Sequence, residues 1–203
     1  MASRFTLFPV EELIMASVVV MSLLGWASKS VKRALILTPY RVRANGEVHR
    51  LLTGAWLHAD LTHLLVNMVS LYFFAGPSIQ ALGAVRFAIL YVSAAVVAFI
   101  PSAIRYMNKP RYATLGASGA VSAVMFSAIL LHPTRKVQFL FFPFPIPAAI
   151  FGVGYLAYSV WHAYGDPDNV NHDAHFTGAL YGALFTYLLE PEAVTSGIRL
   201  LLH

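Results

Sequence analysis

Tyr112 to Thr134 reads YATLGASGAVSAVMFSAILLHPT, 23 residues between Arg111 and Arg135 without one charged side chain. A helix that crosses a bilayer needs about 20 apolar residues, with a range of about 17–25. The stretch is therefore the right length for one crossing, and Pro133 marks its end. Working outward, five more uncharged runs appear: 13–28 (16 residues), 61–85 (25), 87–104 (18), 137–165 (29) and 174–189 (16). The six together occupy 127 of the 203 residues. Only 11% of the chain is charged, against about 25% in an ordinary soluble domain, and the mean hydropathy is +0.66. Such a chain cannot cover itself with a water-facing surface. The expectation is an all-α membrane protein of six transmembrane helices, one domain over 1–203 with its core at about 11–190.

Composition excludes other classes. The net charge of +5 lies between the membrane runs, where interfacial Lys and Arg are ordinary, so no nucleic acid is expected. Without cysteine there is no disulfide, thiolate metal site or cysteine nucleophile, and no metal or cofactor is expected. Arg4, Glu11 and Glu12 precede an apolar stretch that lacks a small-residue cleavage site, so the first span reads as a retained anchor. Helix signals give spans at about Glu11–Ser28, Asp60 to Gly76-Pro77, Val85–Ile104, Thr114 to before Pro133, Pro147 to Tyr164, and Asn171–Asp173 to before Pro191. Asp60 serves as an N-cap, and Pro147 opens the fifth span at its first turn. The Lys29–Ala59 loop carries Tyr40, Leu51, Leu52 and Trp56, and reads as folded on the membrane surface. Loops after the odd spans hold nine Lys and Arg and the opposite side five. Taken literally, the positive-inside rule puts the odd loops in the cytoplasm.

Spans two, four and six start on the same face, and their polar residues share a depth. His63 and Asn67 are i, i+4 neighbours on one face of span two. Ser118 lies about four residues into span four, and His175 about four into span six. At 1.5 Å per residue these groups sit roughly 5–10 Å below one interface. Strongly polar residues inside spans are candidate functional sites by default. Gly178 and Gly182 form a GxxxG pair on the His175 side of span six, while Gly116, Gly119, Ala120 and Ala123 keep span four thin. Small faces let helix backbones approach closely in lipid, and a close pairing brings an imidazole to a serine hydroxyl, the arrangement of a base-activated nucleophile. Singly, each residue has a plainer reading: Ser118 bonded to its own helix, His63 and Asn67 as interhelical glue, His175 in a proton relay.

Gly116-Ala117-Ser118-Gly119, Ala174-His175-x-x-Gly178 and His58-x4-His63-x3-Asn67 together resemble the motifs of rhomboid intramembrane serine proteases, in the same spans and order. The resemblance implies a six-helix rhomboid-like bundle with a structured first loop. It implies Ser118 as nucleophile and His175 as general base, with no acidic third member. His63, Asn67 and the Ser118 backbone amide look like the oxyanion donors. His58 is implied to be structural, and Arg50 resembles the arginine of the family's first loop, with His49 where an aromatic neighbour is usual. The implied substrates are transmembrane segments of other proteins, cut in the bilayer; the implied location is a bacterial inner membrane with cytoplasmic termini and a site open on the far side. The segment Tyr164 to Asn171 reads as a lid and span five as a lateral gate. Members often carry a Tyr four residues after the serine, stacked on the histidine; here Ser122 stands there, and what orients His175 stays open. His172 reads as lying nearer water, and Tyr72, Phe73, Phe74, Tyr155, Tyr158, Trp161 and Tyr164 as lipid-facing or belt aromatics. The alternatives are a non-proteolytic rhomboid-like binding or chaperone protein and, from another class, a small transporter.

Overall fold

The computed structural model describes residues 9–139, 142–164 and 171–201. Its elements are α1 (Val10–Ala27), α2 (Lys29–Leu35), α3 (Pro39–Asn45), α4 (Arg50–Thr53) with a 3-10 turn at Gly54–Trp56, α5 (Leu61–Val97) and α6 (Ile100–Arg105). Then come α7 (Ser118–Leu131), the strands β1 (Lys136–Phe139) and β2 (Phe142–Pro147), α8 (Ala148–Tyr164), α9 (His172–Leu189) and α10 (Pro191–Arg199). The chain is mostly helical. By length and composition, two segments can cross a membrane: Val10–Ala27 and the 45-residue Leu61–Arg105, while Ser118–Leu131 is a shorter apolar helix.

α7 lies at the centre, with 12 of its 14 residues buried, packed between α5 and α9. The core joins Leu71, Ala75, Leu90 and Tyr91 of α5 to Ala120, Ala123 and Val124 of α7. Large apolar side chains instead face outward on the surrounding helices, with Phe73 68%, Val153 70% and Trp161 76% exposed. Contiguous outward apolar surface of this kind marks contact with something other than water.

Several boundaries differ from the sequence reading. The second span does not stop at Gly76-Pro77; α5 runs through and breaks at Gly83, whose φ of 77° is open to glycine. Pro77 lacks the N–H that would bond the carbonyl one turn back, yet the helix continues past it, and beside it the Ser78 hydroxyl donates to the Val124 carbonyl of α7 at 3.2 Å. α7 begins at Ser118 itself, not four residues before it.

The fold is also not all-α. Lys136 pairs with Pro147 and Val137 with Ile146 in an antiparallel hairpin. Each proline biases the residue before it to extended backbone. The alternation Pro143, Pro145, Pro147 also puts three missing N–H groups on one strand edge, where a sheet tolerates them. Pro147 therefore ends a strand rather than opening the fifth span. A further helix, α10, follows the expected last span, started by Pro191 at its first position.

Candidate active site

Two helix starts carry side-chain caps. Asp60 Oδ1 accepts the His63 N–H at 2.8 Å, and Asn171 Oδ1 accepts the Ala174 N–H at 3.1 Å. The Asn171 side chain also accepts from Ser102 Oγ at 2.9 Å and donates to Thr114 Oγ1 at 3.3 Å. It thereby ties the start of α9 to α6 and to the segment that leads into α7.

That segment is pinned from the first loop. Leu37 and Thr114 exchange backbone hydrogen bonds at 2.9 and 3.2 Å, and Gly116 N–H donates to the Gly54 carbonyl at 3.0 Å. Gly116 has φ 127°, and a Cβ there would lie 2.7–2.9 Å from the His63 ring and 3.8 Å from Ser118 Oγ. The glycine is needed for its backbone angle and for the approach of that ring. His63 and Ser118 thus flank the same point.

His58 is 1% exposed. Its Nε2 accepts the Ala117 N–H at 3.4 Å, so Nδ1 carries the proton and donates to Ser22 Oγ at 2.9 Å. Ser22 in turn donates to the Trp56 carbonyl at 3.1 Å, and Trp26 Nε1 donates to the His58 carbonyl at 2.8 Å. Burial, more than the neighbouring His63, pushes its pKa down to about 3, which keeps it neutral and able to accept. His58 joins α1, the first loop and the residue before the serine.

Arg50 is 2% exposed. Its Nη1 donates to the carbonyls of Arg33 at 2.9 Å and Ile36 at 2.8 Å, while Nε pairs with Glu47. Thr53 Oγ1 caps the Leu35 carbonyl at 2.8 Å, and His49 Nε2 meets that of Ala34 at 3.3 Å. The open carbonyls at the end of α2 are thus taken by residues of and beside α4, which makes the first loop a structured unit.

α7 and α9 meet through glycine. A Cβ on Gly178 would overlap the Gly119 carbonyl, and one on Gly182 the Ala123 carbonyl. One on Gly119 would overlap Ala98 and come to 3.2 Å from the Ala174 carbonyl. The neighbour of Ser118 therefore abuts the neighbour of His175. The first intrahelical bond of α7 runs from Val121 N–H to the Ala117 carbonyl at 2.9 Å. The amides of Ser118, Gly119 and Ala120 precede it and have no acceptor in the helix. Asn67, 5% exposed, donates one Nδ2 hydrogen to the His63 carbonyl at 2.9 Å.

Two aromatic placements differ from the sequence reading. Tyr155 is not lipid-facing: its ring stacks on His175 at 6.1 Å with planes 21° apart, and its hydroxyl bonds Ser122 Oγ at 2.5 Å. His172 is not near water; it is 3% exposed, edge-on to His175 at 5.7 Å. The signal that could have located Tyr155 is Ser122: a small residue one turn after the serine leaves room that another helix must fill. Residues 165–170, the body of the expected lid, lie outside the described residues. No group of acidic, His or Cys side chains suited to a metal occurs among the described residues.

The sequence pattern of the Rhomboid domain matches residues 45–192. The chain belongs to the rhomboid family. It is 32% identical over 155 residues to RHOMBOID-like protein 12, mitochondrial, of Arabidopsis thaliana, covering 69% of this chain and 46% of that protein. It is 31% identical over 144 residues to Rhomboid protein 1, mitochondrial, of Saccharomyces cerevisiae, covering 68% and 40%. A rhomboid protein of Bacillus subtilis matches over 79 residues at 40% identity, 38% of each chain. The chain thus spans less than half the length of these relatives.

Proposed function

We propose that this rhomboid is an intramembrane serine endopeptidase that cleaves transmembrane segments of other proteins. The observation that carries the reading is the glycine contact between α7 and α9, which puts the neighbours of Ser118 and His175 against each other beside the His63 ring. In the proposed reaction His175 takes the Ser118 hydroxyl proton as the oxygen attacks the scissile carbonyl. The tetrahedral oxyanion is held by the Ser118 amide and the side chains of His63 and Asn67, helped by the positive end of α7. Collapse breaks the C–N bond, with His175 returning its proton to the leaving amine. Water then releases the acyl group by the same steps.

Six spans fit this reading, with Leu61–Arg105 supplying two, separated at Gly83, and α8 and α9 supplying the last two. Two ion pairs support the alternation: Arg86 with Glu190 at 3.1 Å, and Arg105 with Asp173 at 2.7 Å. Each joins residues that the six-span layout puts at the same end. Membrane embedding goes with the family; the mitochondrial names of two relatives remove the ground for confining the chain to a bacterial inner membrane. We keep the family orientation, with both termini on the cytoplasmic side and the site open on the opposite one, against the charge count. A single cysteine at Asn108, in a chain that has none, decides it: labelling from the cytoplasmic side overturns this orientation and vindicates the charge rule.

A fluorophosphonate probe should label the detergent-solubilised protein at Ser118. Ser118→Ala and His175→Ala should each abolish labelling and cleavage without unfolding, and the double variant should be no worse than either alone. A folded protein that binds transmembrane helices but never takes the probe would instead be the non-proteolytic member of the family. Loss in His172→Ala with activity kept in His175→Ala would mean that the base is the other histidine.

A further inference from the structure

The serine and the histidine of the proposed dyad stand on α7 and α9, and a third helix, α8, supplies the ring that meets the histidine. Tyr155 faces the His175 imidazole at 6.1 Å, almost parallel to it. Its hydroxyl is 2.5 Å from Ser122 Oγ, and Ser122 Oγ is 2.8 Å from the Ser118 carbonyl. A hydroxyl has one proton. The Ser122 proton goes to the Ser118 carbonyl, so the Tyr155 O–H is the donor in the bond between them. The phenol is thus fixed at its tip by α7 and along its face by α9. Phe126 and Phe151 pack around the same ring at 6.0 and 6.2 Å.

We propose that Tyr155 is the positioning residue of this site. It holds the His175 imidazole in the plane from which it takes the Ser118 proton, and Ser122 is its anchor. The assignment rests on the protease reading above. Ser122 lies one turn after Ser118, directly beneath it on the helix, and its small side chain leaves the space that the phenol occupies. The consequence is a three-helix site. Where serine and ring stand on the same helix, histidine orientation depends on two helices; here it also depends on α8 being seated. A misplacement of about 1 Å at a reacting group costs on the order of 10²-fold in rate, so the seating of α8 acts on turnover more than on substrate binding.

The test measures kcat, KM, the pH dependence of kcat and thermal stability with a transmembrane substrate in proteoliposomes. Tyr155→Leu should lower kcat about 10–100-fold with KM changed less than about two-fold, and should move the acid limb of the kcat–pH profile. Tyr155→Phe keeps the stacked ring and loses only the anchor, so kcat should fall about 3–10-fold, as in Ser122→Ala. The two combined should be no worse than either, because they remove one hydrogen bond. Ser122→Tyr in the Tyr155→Leu background supplies a ring from α7 and should recover most of the lost kcat. If Tyr155→Leu does not fold, Tyr155→Phe and Ser122→Ala carry the test through their non-additivity. An active wild type whose kcat and pH profile survive Tyr155→Leu overturns this assignment alone, as does full additivity of Tyr155→Phe and Ser122→Ala. A wild type that never takes the fluorophosphonate probe sinks the protease reading, and this assignment with it.

Discussion

Where α9 crosses α7, contact depends on side chains that are missing; in the first loop it depends on side chains that are present. Gly119, Gly178 and Gly182 bring two backbones together with nothing between them. Arg50, Glu47, His49 and Thr53 instead reach across the first loop and close the end of α2 with hydrogen bonds. The two regions meet at Gly116-Ala117, held by the loop on one side and leading straight into the serine on the other. The difference lies in how each fails. A seam of bare backbone has no smaller version of itself, so any added atom forces the helices apart. A capped loop loses its hydrogen bonds one at a time.

The largest expected effect follows at the seam. Gly182→Val should leave no folded protein, because its Cβ falls on the Ala123 carbonyl. Close-packed interiors take up extra atoms only by shifting backbone. Gly154→Val on α8 meets nothing within 4 Å and should fold normally. Yield and melting temperature after detergent purification compare the two. Equal tolerance of both valines would dissolve the distinction between seam and surface.

In the loop the second effect is large but partial. Arg50→Ala removes a buried guanidinium, leaves the Arg33 and Ile36 carbonyls without that donor, and takes one of three partners from Glu47, which keeps Asn45 and Arg41. A buried polar group left without its partner costs about 1–3 kcal/mol, and two carbonyls lose theirs here, so the melting temperature should fall sharply while some folded protein survives. Arg50→Lys should recover only part of that, since an ammonium cannot reproduce the planar fork that serves two carbonyls and a carboxylate. If Arg50→Ala destabilised as little as an exposed substitution, the loop would be held by its apolar residues instead.

How far each region was legible follows the same divide. The seam could be read in advance, because small residues at helical spacing beside Ser118 and His175 have few other uses in a membrane helix. Asp60 was legible as a cap for a similar reason: a short polar side chain before an apolar run has one common role. Breaks in the chain were harder. Gly76-Pro77 carries the stronger helix-ending signal, yet the helix runs through it and breaks at Gly83, where φ is 77°, an angle that glycine permits but does not announce. The hairpin was hidden inside a run that hydropathy alone reads as span. Tyr155 was the least legible, because its partners are on two other helices and one aromatic on an apolar helix looks like any other.

The third prediction tests the point where seam and loop converge. Asn67→Ala leaves Ser118, His175 and the glycine contact untouched and removes one candidate oxyanion donor. Loss of one such donor costs about 10²–10³ in kcat; one hydrogen of the Asn67 amide is already bonded to the His63 carbonyl, which puts the expected fall at the lower end. Fluorophosphonate labelling should slow without vanishing, and His63→Ala should act in the same sense. A lower melting temperature with unchanged activity of the folded fraction would assign both residues to packing and add them to the loop.

The smallest effect is a pH dependence confined to the loop. The Asn45 side-chain hydrogen bond, then Arg50 and Arg41, hold the Glu47 carboxyl well below its usual value of 4.5, at about 2. A carboxylate whose pKa is depressed on folding adds stability above its unfolded value and loses it as pH falls toward the folded one. The contribution of Glu47 is thus fully present at pH 7 and fades between about 4.5 and 2. Glu47→Gln removes the charge but keeps the shape. At neutral pH its melting temperature should lie modestly below that of the wild type, since Glu47 is a partly exposed partner whose pairing is screened by water. Below pH 4.5 the gap should narrow and nearly close by pH 2, while the other carboxylates titrate alike in both proteins and cancel. The seam, which contains no titratable group at its contact, has no counterpart to this behaviour. A gap that stays constant from pH 7 to 2 would mean that Glu47 acts through the shape of its hydrogen bonds. The loop would then be as indifferent to charge as the glycine seam, and the contrast between the two regions would rest on Arg50 alone.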